Sequence, residues 1–346
     1  MTMALWTDLI SPAELTGYAR AAQADIEAAQ GTLAQFLPNT TVPDVVVRTI
    51  VASDGSGQLA QYRAFDAETP VGSGGSAQRK TFELLPLGLK ERVSEYELLR
   101  GRGGDQSALI LGGVLKATRR VVEAIVKRLE VARGQVIDTG SLTINENGVV
   151  QTVAFGRPGG NTVTASVLWD AGSGTPKPID DLIAWCDYYA SVNDGAQPGA
   201  LMVSRKVVSV LQRVAEIRTL VATMAGTPSI VSIDALNAVL AGYGLPPLVV
   251  FDRKVNGTRV TNEKKVYLMP APVDPNSGEN NLGATFVGPT LEADDPRYGI
   301  GAADQPGIAV GAWKTDDPIA AWVRSNATAM PILVNPVASM VATVLT

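Results

Sequence analysis

Histidine, the side chain that most often moves protons in enzymes, is missing from this sequence. The chain has 346 residues, no histidine and one cysteine, Cys186. These counts exclude Ser-His-Asp and Cys-His triads, histidine-ligated zinc and cysteine-rich metal clusters. We therefore expect no metal and no cofactor. We interpret Cys186 as a buried residue, because a free cysteine packs like a small hydrophobic side chain.

Adjacent carboxylates are the remaining candidates for acid–base chemistry. The three pairs each lie beside a proline or at an expected helix start, and they are Asp180–Asp181, Asp294–Asp295 and Asp316–Asp317. At such positions acidic side chains accept hydrogen bonds from free backbone N–H groups. We predict that the pairs are structural and that the protein is not an enzyme. An α/β hydrolase that acts through carboxylates stays a distant alternative.

Phosphate-binding loops and membrane spans are also missing. The glycine-rich stretch at residues 72–76 is followed by a strand-like run at residues 79–84, whereas a phosphate loop opens a helix. The net charge of −5 gives no global basic field for nucleic acid. No apolar run approaches the roughly 18 residues that cross a membrane. With 46% hydrophobic and 18% charged residues, the composition is that of a folded protein with a sizeable core.

One unusually long helix dominates the predicted elements. Its apolar residues recur at steps of three or four, at Ile110, Val114, Ala117, Val121, Ile125, Leu129, Ala132 and Val136. The helix is expected from roughly Gln106 to Ile137, about 45 Å at about 1.5 Å per residue, and would act as a strut. Its other side carries Arg119, Arg120, Lys127, Arg128 and Arg133 against Glu123 and Glu130. This positive excess could face DNA; we favour solvent or a neighbouring subunit.

Residues 45–85 are predicted to form a projecting β-hairpin. Strand-like runs at residues 45–51, 59–65 and 79–85 flank a polar, glycine-rich stretch at residues 66–78. A two-stranded ribbon is marginally stable alone in water, and its edges invite pairing. The arm is therefore expected to dock on a neighbouring subunit or to pack on its own domain, and the sequence leaves both open.

The rest of the chain suggests one more lobe. Ser11 to Glu14 form a capping box that starts an N-terminal helix, and Asn147-Gly148 indicates a hairpin turn. From Pro178 helices and strands alternate, which predicts a compact α/β lobe. A single helix is expected over residues 205–224. The β-rich C-terminal residues are expected to return to the sheet of the first lobe, which makes the α/β lobe an insertion.

Three stretches carry a family resemblance when taken in order. They are residues 81–87 leading to 93–96, residues 245–252 leading to 266–270, and residues 317–318 leading to 330–333. In this order the chain resembles the Hong Kong ninety-seven capsid fold of tailed-phage major capsid proteins, and within it the phage lambda major head protein E family. The resemblance covers nearly the whole chain. Each motif alone is not specific for the family, but their order along the chain is.

The resemblance implies an α+β fold with five parts. They are an N-terminal arm at residues 1–44, an E-loop hairpin region at 45–92, a peripheral domain with the long spine helix at 93–177, an inserted α/β axial domain at 178–290, and a return to the peripheral domain at 291–346. The tip of the E-loop would contact a neighbouring subunit through Glu68, Val71, Gly72, Gly74 and Arg79. The basic face of the spine helix would comprise Arg119, Arg120, Lys127 and Arg128.

The function implied is that of a major capsid protein. Such a protein assembles with itself into hexamers and pentamers of an icosahedral shell around double-stranded DNA, bound without sequence preference. Scaffolding, portal and decoration proteins are the other expected partners, with assembly in the host cytoplasm and no membrane. An encapsulin-like nanocompartment, which shares the fold and encloses protein cargo, is the alternative.

Overall fold

The computed structural model describes residues 5, 10–28, 32–52, 77–93, 96, 106–222, 226–278, 280–316 and 319–346. Helix α1 begins with the predicted capping box, in which Ser11 N donates to Glu14 Oε2 at 3.2 Å and Glu14 N donates to Ser11 Oγ at 3.2 Å. In chain order, the described residues before position 165 form α1 (Pro12–Ala28), β1 (Asn39–Thr41), β2 (Val46–Ala52), β3 (Ala77–Glu83), β4 (Pro86–Val93), α2 (Gln106–Thr139), β5 (Ser141–Glu146), β6 (Val149–Ala154) and β7 (Thr162–Thr164).

The later elements include both helices and strands up to β12, although they do not strictly alternate as the sequence predicts. The remaining described residues form α3 (Pro178–Val192), β8 (Ala200–Val203), α4 (Arg205–Leu211), α5 (Ala215–Leu220), α6 (Ile233–Gly242), β9 (Leu248–Val250), β10 (Lys254–Val255), β11 (Thr258–Arg259), β12 (Lys265–Met269), β13 (Gly283–Gly288), α7 (Leu291–Asp294), β14 (Ala309–Asp316), β15 (Ile319–Leu333) and β16 (Met340–Thr343).

The first sheet is built around the 15-residue strand β15. Strands β4, β14 and β13 pair antiparallel with it, and β1 adds in parallel to β13. One face of this sheet carries Val310, Val323 and Ala329, which are buried against Val121 and Ile125 of α2. Helix α1 packs against the edge strand β14.

The second sheet has the order β7-β16-β12-β8-β9. Alternate residues of its strands enter two different cores. Leu201, Val266 and Met340 pack with α3 to α6, whereas Tyr267 and Val341 pack with the C-terminal half of α2. Helix α2 therefore spans both sheets, and its 34 residues make it about 51 Å long. The predicted long helix is confirmed.

One expectation about the C-terminal residues is right only in part, and one about the second lobe is wrong. Strands β14 and β15 do return to the first sheet. Strand β16 does not, because its four residues Met340–Thr343 suit a central strand covered on both faces, between β7 and β12. The single helix expected over residues 205–224 is interrupted between α4 and α5. Val214 adopts a non-helical backbone there, with φ −59° and ψ 137°, and both Val214 and Ile217 are buried.

Three strands also belong to a different sheet from the one expected for their part of the chain. Strand β4, placed with the hairpin region, belongs to the first sheet, and so does β13, placed with the axial domain. Strand β7, placed with the peripheral domain, lies at the edge of the second sheet. Sheet membership depends on pairing between distant segments, which local sequence patterns do not encode. The five-part division itself stays a proposal.

Candidate assembly surfaces

The base of the predicted arm is anchored in its own chain. Strands β2 and β3 pair antiparallel over seven residues, from Val46 opposite Glu83 to Ala52 opposite Ala77. Phe82 packs on Phe155 with ring centroids 5.5 Å apart. Lys80 Nζ donates to the carbonyl of Phe155 at 2.9 Å. The described β2–β3 ribbon is therefore fixed to the body at a partly buried root.

The predicted contact residues of the arm fall on both sides of the described region. Glu68, Val71, Gly72 and Gly74 lie outside the described residues, as does the strand-like run at residues 59–65. Arg79 lies in β3 opposite Ile50, and its side chain is exposed. Contact with another subunit stays a prediction for all five.

The four basic residues proposed as a face of α2 are largely matched by acids. Arg120 Nη2 lies 2.7 Å from Glu91, Lys127 Nζ lies 2.8 Å from Glu123, and Arg128 Nη2 lies 3.2 Å from Glu146. Arg119 is exposed. Because exposed ion pairs offset local charge, this pairing favours a face turned to solvent or to a neighbouring subunit over a DNA-binding face.

Two charged residues of α2 do not lie on that face. Arg133 and Glu130 are fully buried, contrary to the sequence-based assignment. Arg133 Nη2 lies 3.0 Å from Glu27 Oε1, and Glu130 lies 3.6 Å from Arg133 and 3.7 Å from Arg253. These four residues, Glu27, Glu130, Arg133 and Arg253, form what we call the internal ion cluster. Its two positive and two negative charges balance, as buried charges require.

Neutral groups also form hydrogen bonds with the internal ion cluster. Arg133 donates through Nη2 to Asn39 Oδ1 at 2.7 Å and through Nε to Thr285 Oγ1 at 2.8 Å. The backbone N–H of Leu33 donates to Glu130 Oε1 at 2.8 Å. The cluster thereby joins α1, β1, α2 and β13, and it fixes the N-terminal segment to the body.

The position of Arg133 in the sequence indicates that it is buried, although its charge suggests an exposed residue. Position 133 is four residues after Leu129 and three before Val136, so it lies on the apolar stripe of α2. Burial raises the pKa of Glu130 above its ordinary value of 4.5, and the nearby guanidinium of Arg133 opposes that rise. A charge on the apolar stripe of a long helix indicates a buried partner from another element.

A second arginine caps the C-terminal end of α2. Arg157 donates to the carbonyls of Ile137 and Asp138, at 2.5 and 3.1 Å, and to Ser339 Oγ at 2.7 Å. These carbonyls lack partners within the helix, and a cation there also suits the helix dipole. Burial lowers the pKa of Arg157 to about 10. Arg157 joins the end of the long helix to the residue before β16.

Three residues of the acidic pairs make structural contacts. Asp181 Oδ2 accepts from Trp169 Nε1 at 2.9 Å, Asp180 pairs with Lys177 at 3.0 Å, and Asp295 Oδ1 accepts from Arg297 N at 3.0 Å. Asp317 lies outside the described residues.

Cys186 is buried as predicted, and burial raises the pKa of its thiol to about 11. Among the described residues, no group of three or more acidic, histidine or cysteine side chains could hold a metal ion. No helix within the described ranges is long and apolar enough to span a membrane.

Comparison with known proteins identifies one matching family. A family model described as phage major capsid protein E matches residues 11–344. No curated protein matches the sequence.

Solved structures share the architecture of this chain. A protein described as a capsid protein of a prophage in E. coli CFT073 superimposes with a TM-score of 0.63 at 16% identity, over 97% of this chain and 99% of that chain. A phage-related protein from Bordetella bronchiseptica RB50 gives a TM-score of 0.58 at 15% identity, over 99% and 97%. The capsid of Myoviridae phage XM1 gives 0.50 at 11% identity, over 90% of both chains.

Proposed function

This chain belongs to the phage major capsid protein E family, and from that premise we propose that it builds the icosahedral shell around the double-stranded DNA of a tailed phage. The chain is a shell-forming capsid protein with a structural role. The observation that carries this function is the family match over residues 11–344. The predicted α+β fold of the Hong Kong ninety-seven type is confirmed by the solved structures that share it.

A shell of this kind requires oligomers of the chain and further partner proteins. Copies of the chain would form hexamers and pentamers, with scaffolding, portal and decoration proteins as partners, in the cytoplasm of the host. The anchored root of the β2–β3 ribbon supports an arm that reaches from one copy to the next. The balanced charges on α2 support a helix that contacts a neighbouring copy or solvent, while packaged DNA is held without dedicated residues.

Electron microscopy of the purified full chain tests the shell directly. We expect closed particles of uniform size, with a nucleic acid content that rises when particles are isolated from infected or induced cells. Protein that stays monomeric at high concentration under every condition tested would contradict the proposal. Closed particles filled with a cargo protein and free of DNA would identify the encapsulin-like alternative.

The arm is tested by deleting residues 68–76, which leaves every residue of β3 in place. The variant is expected to stay folded, because the root of the ribbon at Phe82 and Phe155 is untouched, and to assemble poorly. Circular dichroism reports the fold and sedimentation velocity reports the particles. Normal particle yield from this deletion would refute the role of the arm.

A further inference from the structure

Strand β4 lies at an edge of the first sheet. It pairs antiparallel with β15 over all eight of its residues, and no strand that the structure describes pairs with its other side. Five of those eight residues are exposed. An exposed edge presents unpaired backbone N–H and C=O groups, and a further extended segment can satisfy them by adding a strand.

The pairing register shows which backbone groups of β4 are free. The N–H of Ala329 donates to the carbonyl of Leu85 at 3.1 Å, just before β4 begins. In an antiparallel pair, every second residue bonds to the partner strand and the residues between them point away from it. The outward positions of β4 are therefore Pro86, Gly88, Lys90 and Arg92. A proline is tolerated at the first of these, because it has no N–H to leave unpaired.

On the face of β4 that is turned to α2, an apolar groove lies beside the free edge. Leu87 and Leu89 line it, and Leu89 is 46% exposed. The groove has a volume of about 350 Å³. Its other apolar walls come from α2 and β5, and they include Ile125, Leu129, Leu142 and Ile144. The two charged lining residues, Arg128 and Glu146, pair with each other, so the groove favours apolar side chains.

The opposite face of β4 is basic. Strand alternation places Lys90 and Arg92 there, because Val93 packs on the α2 side. Both residues are exposed, and no acid among the described residues forms an ion pair with either. Lys90 Nζ lies 5.6 Å from the ring centroid of Trp322, and Arg324 beside it is already paired with Glu292 at 3.2 Å. This face therefore has two cations available for an acidic partner.

We propose that the free edge of β4 binds an extended segment of a second protein, in which apolar and acidic residues alternate. Successive side chains of an added strand point to opposite faces of the sheet. One set would enter the apolar groove beside Leu89, and the other would meet Lys90 and Arg92. None of the described strands of this chain contains more than one acidic residue, which favours a different protein over a second copy. The edge is exposed in the single chain, so this binding does not depend on a shell.

A synthetic peptide that alternates leucine and aspartate tests the proposal. It has eight residues, as β4 has, and carries a fluorophore. Fluorescence anisotropy reports its binding to the unassembled full-length chain. We expect it to bind, and we expect a peptide with lysine in place of aspartate to bind at least about tenfold more weakly, because like charges then meet at Lys90 and Arg92.

Two variants at position 90 separate charge from backbone pairing. Lys90→Ala removes the charge and keeps the outward N–H, whereas Lys90→Pro removes both and leaves the bonds to β15 in place. We expect the alanine variant to bind the aspartate peptide about threefold more weakly than the natural chain, and the proline variant about tenfold more weakly again. Circular dichroism checks that both are folded. Lys254→Ala, at an exposed lysine in β10, is the control and should bind like the natural chain.

Three outcomes would overturn the proposal. They are no binding of the aspartate peptide, equal binding of the aspartate and lysine peptides, and equal affinity of Lys90→Ala and Lys90→Pro for the aspartate peptide. Arg92→Pro repeats the backbone test at a second outward position, should Lys90→Pro not fold. Dimers of the natural chain in sedimentation velocity that Lys90→Pro abolishes would assign the edge to a second copy and would also overturn it. Failure of the chain to form particles would refute the proposed function alone.

Discussion

Charge balance decides the stability of the internal ion cluster. Arg133 has no exposed surface, so its guanidinium depends on the carboxylates beside it. Glu27 is the closer of the two buried carboxylates, at 3.0 Å, and Glu130 lies at 3.6 Å. Glu130 is already penalised in its ionised form, since burial raises its pKa. We therefore expect Glu27 and Glu130 to contribute unequally to the free energy of unfolding.

Neutral substitutions should reveal this inequality. Glu27→Gln is expected to lower the free energy of unfolding by about 3–5 kcal/mol, because it leaves a buried guanidinium without its nearest counter-charge. Glu130→Gln is expected to cost less than Glu27→Gln, because Arg133 keeps its nearest carboxylate and the amide oxygen can still accept from Leu33 N. Urea unfolding of the unassembled chain measures both. Equal costs, or the reverse order, would contradict this account.

The raised pKa of Glu130 also sets a direction for the pH dependence of stability. In the window between 4.5 and the raised value, the folded state binds a proton that the unfolded state has released. The contribution of this group to the free energy of unfolding therefore falls as pH rises through the window. The stability of the natural chain relative to Glu130→Gln should decline over the same range. A difference between the two that is independent of pH would exclude the effect.

At the scale of elements, α2 approaches its neighbours closely at one glycine. A Cβ added at Gly134 would lie 2.3 Å from the carbonyl oxygen of Val260 and 2.4 Å from its Cγ1. The helix therefore meets the segment after the β10–β11 hairpin at a distance that only glycine permits. At Gly112, in the same helix, nothing lies within 4 Å of the added atom.

These two glycines give a matched pair of substitutions. Gly112→Ala is expected to raise the free energy of unfolding by about 0.5–1 kcal/mol, the usual gain in a helix interior. Gly134→Ala is expected to lower it by about 1–3 kcal/mol, because the helix and Val260 must move apart. Thermal and urea unfolding report both signs. A gain at Gly134 equal to that at Gly112 would show that the close approach is unimportant.

Elements governed by local signals were predictable, whereas their partners were not. The periodicity of α2, the capping box at Ser11 and the turn at Asn147-Gly148 each depend on a few neighbouring residues, and each is found. The pairing of β16 with β7 and the burial of Arg133 depend on segments more than 90 residues away. A helical stripe shows that a position is covered but not what covers it.

At the scale of the whole molecule, the C-terminal strand joins the two lobes. Strand β16 lies between β7 and β12 and packs on both faces, against α3 to α6 and against the end of α2. Met340, Val341, Val344 and Leu345 are each at most 1% exposed. Their burial contributes roughly 6–12 kcal/mol at about 1.5–3 kcal/mol each. This is comparable to the whole net stability of a typical domain, about 5–15 kcal/mol.

Removing residues 340–346 should therefore unfold the second lobe. We expect the truncated chain to be insoluble or rapidly cleaved within residues 178–290 in limited proteolysis, because β7 loses its partner strand and both cores open. Deleting Thr346 alone is the control. Its side chain is exposed and donates only to Asp170, at 3.0 Å, so that variant should resist protease like the natural chain. A truncated chain as resistant as this control would mean that β16 only covers a lobe that folds without it.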